Sequence, residues 1–171
     1  MPIAVATLQN VADALSAAER GAPAEGRRLL AACLPEIARE QAAMYPNEQL
    51  PLLSYAAHAA MKCEMWPEAT SLLEQTCVLA DRLAPEEFAT SGDYWKLGVC
   101  YGEVGQWDRA LLAFRKGHGI ATLATAPAEY MARLEALIAN AESKLARTSP
   151  PAAVETSARV KRLLDRFRRS R

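Results

Sequence analysis

Sliding the sequence against itself by 41 residues lays "LSYAAHAAMKCEMWPEATSLL" (53–73) onto "YWKLGVCYGEVGQWDRALLAF" (94–114). Leu53 meets Tyr94, Ala56 meets Leu97, Ala57 meets Gly98, Trp66 meets Trp107, Ala69 meets Ala110 and Leu73 meets Phe114. Apart from Ala56 on Leu97, small residues fall on small and large on large, with the tryptophans in register. A repeat of this length is one supersecondary unit that buries its apolar face only by stacking on the next copy. A further shift of 42 or 43 residues finds an earlier copy: Val11, Ala14, Leu15 and Ala18 take the first positions, and "PAEGRRLL" (23–30) answers "WPEATSLL" (66–73).

The content of each unit follows from composition. Hydrophobic residues make up 51% of the 171, yet aromatics only 6%. The apolar mass is alanine and leucine, strong helix formers that let backbones approach closely. No stretch alternates β-branched and polar residues long enough for a strand. The reading is all-α, with each copy a helix, a short turn and a second helix. First helices are expected over about 4–20, 50–63 and 92–104, and second helices over about 24–43, 67–83 and 108–121.

Pro23 and Pro67 stand where a second helix begins, a position that tolerates a missing N–H. Pro35 is expected to interrupt its helix. "LAPEEFATSGD" (83–93) reads as a connector, with Asp93 as N-cap of the helix that follows. Past Pro127, the residues Tyr130, Leu134, Leu137, Ile138, Ala141 and Leu145 share one helical side and suit a capping helix. The division expected is a helical array over 1–146, a linker over 147–157 ("RTSPPAAVETS" from Arg147) and a tail over 158–171.

The formal net charge of zero hides an asymmetry. Residues 147–171 carry a net +6 from eight basic and two acidic residues, and the rest carries −6. In "ARVKRLLDRFRRSR" the apolar Val160, Leu163, Leu164 and Phe167 lie on one face among Arg159, Lys161, Arg162, Arg166, Arg168, Arg169 and Arg171. Such a segment fits an anionic partner, nucleic acid or lipid headgroups, with binding that weakens as salt rises. It equally suits folding back onto the acidic body. No apolar run reaches the ~18 residues of a membrane span, and no basic leader opens the chain, so a cytoplasmic protein is expected.

Residues 94–114 resemble the tetratricopeptide (TPR) repeat. In its pattern W-x-x-L-G-x-x-Y, a turn glycine and A-x-x-x-F, Tyr94 takes the first place, then come Leu97, Gly98, Tyr101, Gly105, Ala110 and Phe114. In the second copy Leu53, Ala56, Ala57, Ala60, Ala69 and Leu73 match, and Glu64 stands for the turn glycine. Repeats of about 41–43 residues are similar to the longer TPR variants. Gly98 is read as facing Ala110 where the helices cross, and Gly105 as the left-handed residue ending a helix.

The resemblance implies a solenoid of about three hairpins plus a cap, whose first helices line a concave groove that binds another protein or peptide. The groove positions carry over to Ser54, His58, Met61, Lys62, Trp95, Val99 and Gly102. The lysine, arginine and asparagine set with which some TPR domains grip a C-terminal carboxylate is absent. Small three-repeat proteins of this kind also resemble the bacterial type III secretion chaperones that hold translocator proteins. A second copy of the chain is a further candidate partner.

Catalysis has no constellation to stand on. His58 and His118 are the two histidines, there is no HExxH or nucleophile elbow, and the adjacent Glu86 and Glu87 do not converge. Cys33, Cys63, Cys77 and Cys100 are spread singly and read as packing thiols. No cofactor, metal or small-molecule substrate is expected, and the chain reads as a binding protein.

Overall fold

A computed structural model describes residues 5–148 as seven α-helices: α1 (Val5–Glu19), α2 (Pro23–Gln41), α3 (Pro46–Lys62), α4 (Trp66–Leu83), α5 (Phe88–Glu103), α6 (Trp107–Leu123) and α7 (Ala128–Thr148). The 158–171 tail with its arginines and lysine, and most of the 147–157 linker, lie outside the described residues. The chain is an all-α array of three hairpins, α1–α2, α3–α4 and α5–α6, with α7 packed on α6.

The hairpin reversal is the same device each time. Gly21, Glu64 and Gly105 all hold positive φ, at 83°, 57° and 76°. Around each, two backbone bonds close the helix end: Gly21 N–H to Ala18 O and Ala22 N–H to Ala17 O, then Glu64 to Met61 and Met65 to Ala60, then Gly105 to Gly102 and Gln106 to Tyr101. This pair of bonds satisfies carbonyls that the helix end would otherwise leave unbonded, and it needs a left-handed residue. The spacing of these residues, 43 and then 41, puts the first hairpin in register with the others. Burial agrees: Leu30, Leu73 and Phe114 are all in the core, as are Ala69 and Ala110.

Glu64 meets the same demand without glycine's freedom, at a cost of about 1–2 kcal/mol for a left-handed L-residue. Its ion pair with Arg27, 3.4 Å apart on the surface, returns little. Glu64→Gly therefore raises the unfolding free energy by about 0.5–1 kcal/mol, after glycine's larger unfolded-state entropy is allowed for. Urea titration of the two proteins checks it.

Three boundaries differ from the sequence reading. Helix α2 runs through Pro35 without stopping. Leu30, Cys33 and Ile37 bury one continuous stripe across the proline, and that burial outweighs the cost of about 3 kcal/mol for an interior proline. Helix α3 starts at Pro46, not near 50, because Pro46 occupies its first position and the Glu48 carboxylate accepts the Tyr45 N–H at 3.1 Å.

Helix α5 begins at Phe88, so Asp93 is no N-cap but lies a turn and more inside. The "TSGD" stretch is helical because its polar side chains find partners outside their own helix. Thr90 donates to Ala84 O at 2.7 Å, Ser91 to Gly117 O at 2.8 Å, and Asp93 accepts from Ser54 at 3.2 Å. The facing of Gly98 is also corrected. A Cβ there would come within 2.5 Å of the Phe114 ring, so the glycine admits that ring and not the small Ala110.

Candidate functional site

The residues expected to line a groove lie on the first helices α3 and α5, and a buried carboxylate links the two. Asp93 on α5 accepts a hydrogen bond from Ser54 of α3 and pairs with Lys96 at 3.0 Å. Its side chain is only 10% exposed. A buried carboxylate left without partners would be costly; Lys96, on the same helix, supplies the counter-charge, and the Ser54 hydroxyl ties α3 to α5 through it. Ser54 thus belongs to the frame of the site.

One turn further along α3 stands His58, half-buried, with Lys62 a turn beyond and exposed. Burial lowers the His58 pKa below its ordinary value. Lys96 and Lys62 push it further down, and Glu19 on α1 opposes them. The imidazole is held neutral within a positive field drawn from two helices. It offers a donor and an acceptor, within the influence of the Lys62 and Lys96 ammonium groups. Met61 and Val99 are half-buried and pack on the core, each leaving part of an apolar surface open.

Trp95 and Gly102 sit differently from these. The Trp95 ring meets Tyr130 of α7 edge-on at 6.2 Å, and Tyr130 meets Phe88 at 4.8 Å with its hydroxyl 3.1 Å from Ser91. The tryptophan therefore belongs to an aromatic cluster joining α5 to the capping helix, with Phe88 44% exposed at its edge. Gly102 faces the Trp107 ring: a Cβ would lie 3.1 Å from it, which makes Gly102 a packing position. Ser54, His58, Lys62 and the neighbouring Lys96 are brought together, and Trp95 stands with α7.

The sequence reading missed Asp93, Lys96, Phe88 and Tyr130. Asp93 was hidden by its turn-like neighbours, and Tyr130 by its place on a helix read as a cap. On the second-helix side, Gln41, Gln49, Glu74, Gln75, Val78 and Leu79 line a separate depression of about 320 Å³.

The four cysteines are buried, and burial raises their thiol pKa values, Cys77 and Cys100 to about 12. Thiolate is strongly disfavoured there, so they act as small apolar side chains. Among the described residues, no group of three or more His, Cys, Asp or Glu is placed to hold a metal ion, and no helix is long and apolar enough to cross a membrane. Compared with known proteins, the chain matches no family model and no curated relative.

Proposed function

We propose that the chain is a TPR-like protein-binding scaffold that holds a segment of another protein against the α3–α5 face and performs no chemistry on it. The observation that carries this reading is the composition of that face. Half-buried apolar side chains (Met61, Val99) share α3 and α5 with a neutral imidazole and the two lysines Lys62 and Lys96, with Trp95 at the α7 edge and the buried Asp93 linking the two helices. Apolar surface supplies affinity on burial, and the polar groups set register. The positive field favours a segment with apolar anchors and an acidic residue or two.

The test uses the tagged full-length chain to capture partners from lysate of the native source, with mass spectrometry to identify them. The captured protein is then titrated against Trp95→Ala, Val99→Asp and Lys62→Glu. Removal of an aromatic anchor at the α7 edge of the face costs about 2 kcal/mol, so affinity falls about 30-fold for Trp95→Ala. Val99→Asp is expected to abolish binding, and Lys62→Glu to weaken it with a reduced dependence on salt. A partner that binds all three variants as it binds the wild type removes the face from the function. Recovery of nucleic acid or lipid alone moves the function to the tail.

A further inference from the structure

The array ends on an incomplete unit. Shifting α5 by 40 residues lays it on α7: Tyr94 falls on Leu134, Leu97 on Leu137, Gly98 on Ile138 and Tyr101 on Ala141. Leu134 and Ala141 are buried, as Tyr94 and Tyr101 are. The Arg115–Glu142 ion pair (2.7 Å) and the His118–Glu135 contact (3.6 Å) run in opposite order along the two helices and show α7 antiparallel to α6. Helix α7 thus stands as the first helix of a fourth hairpin. In α5, Ser91 and Gly98 receive the second helix, through Gly117 O and the Phe114 ring. The corresponding positions of α7 are Met131 and Ile138, both half-buried, and among the described residues no second helix covers them.

The sequence beyond residue 148 contains a segment written in the pattern of a second helix. A shift of 50 lays α6 on the tail: Arg109 on Arg159, Ala110 on Val160, Ala113 on Leu163, Phe114 on Leu164, Lys116 on Arg166 and Gly117 on Phe167. The four residues on the α6 side, Ala110, Ala113, Phe114 and Gly117, are buried. Their four counterparts are the tail's apolar face. Leu164 in place of Phe114 is smaller where Ile138, in place of Gly98, is larger; Phe167 and Met131, in place of Gly117 and Ser91, are both larger and set the helices further apart at that end. The difference between the two shifts, ten residues, matches the Pro- and Ser-containing linker.

Charge points to the same seat. Arg109 and Lys116 lie at the α4–α5 junction, over the rings of Tyr101 and Tyr94 at 4.3 and 4.5 Å, and pair with Glu74 and Asp81. One unit on, the 41-residue shift puts Arg115 and Thr122 where Glu74 and Asp81 stand, so Arg159 and Arg166 have to find carboxylates on α7 instead. The carboxylates there are Glu142 and Glu135, also seven apart, with side chains 49% and 67% exposed. The antiparallel order fits, Arg159 to Glu142 and Arg166 to Glu135. Lys144, 5.5 Å from the Trp107 ring, places the end of α7 at the start of α6, where a returning helix has to begin.

We propose that residues 158–171 dock on their own chain as the second helix of a fourth hairpin, seating Val160, Leu163, Leu164 and Phe167 on Met131, Ile138 and Leu145 of α7. The tail's basic face is then turned in part to the protein's own carboxylates.

Hydrogen exchange read by mass spectrometry on the full-length chain, with its mass in solution measured alongside, tests the proposal. Amides of 160–168 are expected to exchange at least tenfold slower than in a free segment, in a monomer and without added ligand. Leu164→Asp is expected to release that protection and to speed exchange in 134–145, with α1 to α4 unchanged. Arg159→Glu with Arg166→Glu should release it too, and Glu135→Arg with Glu142→Arg added should restore part of it. The double variant Ile138→Cys, Leu164→Cys is expected to form its disulfide within one chain. Free-segment exchange of the tail overturns the proposal. So does protection seen only with anionic vesicles or RNA, and so does a 138–164 disulfide that forms only between two copies.

Discussion

Truncating Phe114 to alanine lowers the unfolding free energy by about 3–5 kcal/mol, the cost of emptying a fully enclosed aromatic site. The ring is buried and lies against Gly98, so it joins the two helices of the third hairpin at their closest approach. Filling the same space from the other side also destabilises. The methyl of Gly98→Ala would stand 2.5 Å from two ring atoms, and the overpacking costs about 1–3 kcal/mol. Helix propensity alone favours that alanine by about 1 kcal/mol, so a measured loss isolates the contact. In the double variant the new methyl enters the space left by the ring, and the loss is smaller than the sum by about 0.5–3 kcal/mol. Urea titrations of the four proteins measure all three terms; additive losses would show that the two side chains do not share one space.

Gly26→Ala is expected to destabilise by about 1–3 kcal/mol, again against helix propensity. The added Cβ would come 2.6 Å from the Cys63 sulfur and 2.7 Å from the Ala14 carbonyl oxygen. A ring can tilt away, but a helix backbone cannot yield without displacing α1, so little of this cost is relieved by local relaxation. The contact also spans three helices, α1, α2 and α3, and joins the first hairpin to the second. Thermal unfolding of the variant should show a lowered midpoint; a midpoint equal to or above wild type would mean that α1 is free to move aside.

The repeat was legible because packing constraints recur at fixed spacing: the turn residues and the buried second-helix positions could be found by alignment of the chain with itself. Turn geometry even explained Glu64, an odd residue at a glycine's place. Which large residue fills which small one was not legible. Gly98 has both Ala110 and Phe114 on the facing helix, and only the crossing geometry selects the ring. Pro35 and "TSGD" misled for a common reason, since local preference favours a break and burial or distant partners outweigh it.

The candidate site was half legible. The resemblance to the TPR repeat carried the groove positions over to Ser54, His58 and Lys62, but contacts between units leave no trace in the repeat pattern. The Ser54–Asp93–Lys96 bridge and the Trp95–Tyr130 contact therefore came only from coordinates.

The closure of each hairpin by bonds between residues three and five apart bears on how the chain is made. Every reversal is complete as soon as the few residues around Gly21, Glu64 or Gly105 have emerged from the ribosome. Topology dominated by such local contacts folds fast, and folding proceeds from the N-terminus as synthesis does. Each finished hairpin offers the next one a surface to condense on, so the third copy, with the heaviest side chains, is assembled after the first two, onto a template already in place.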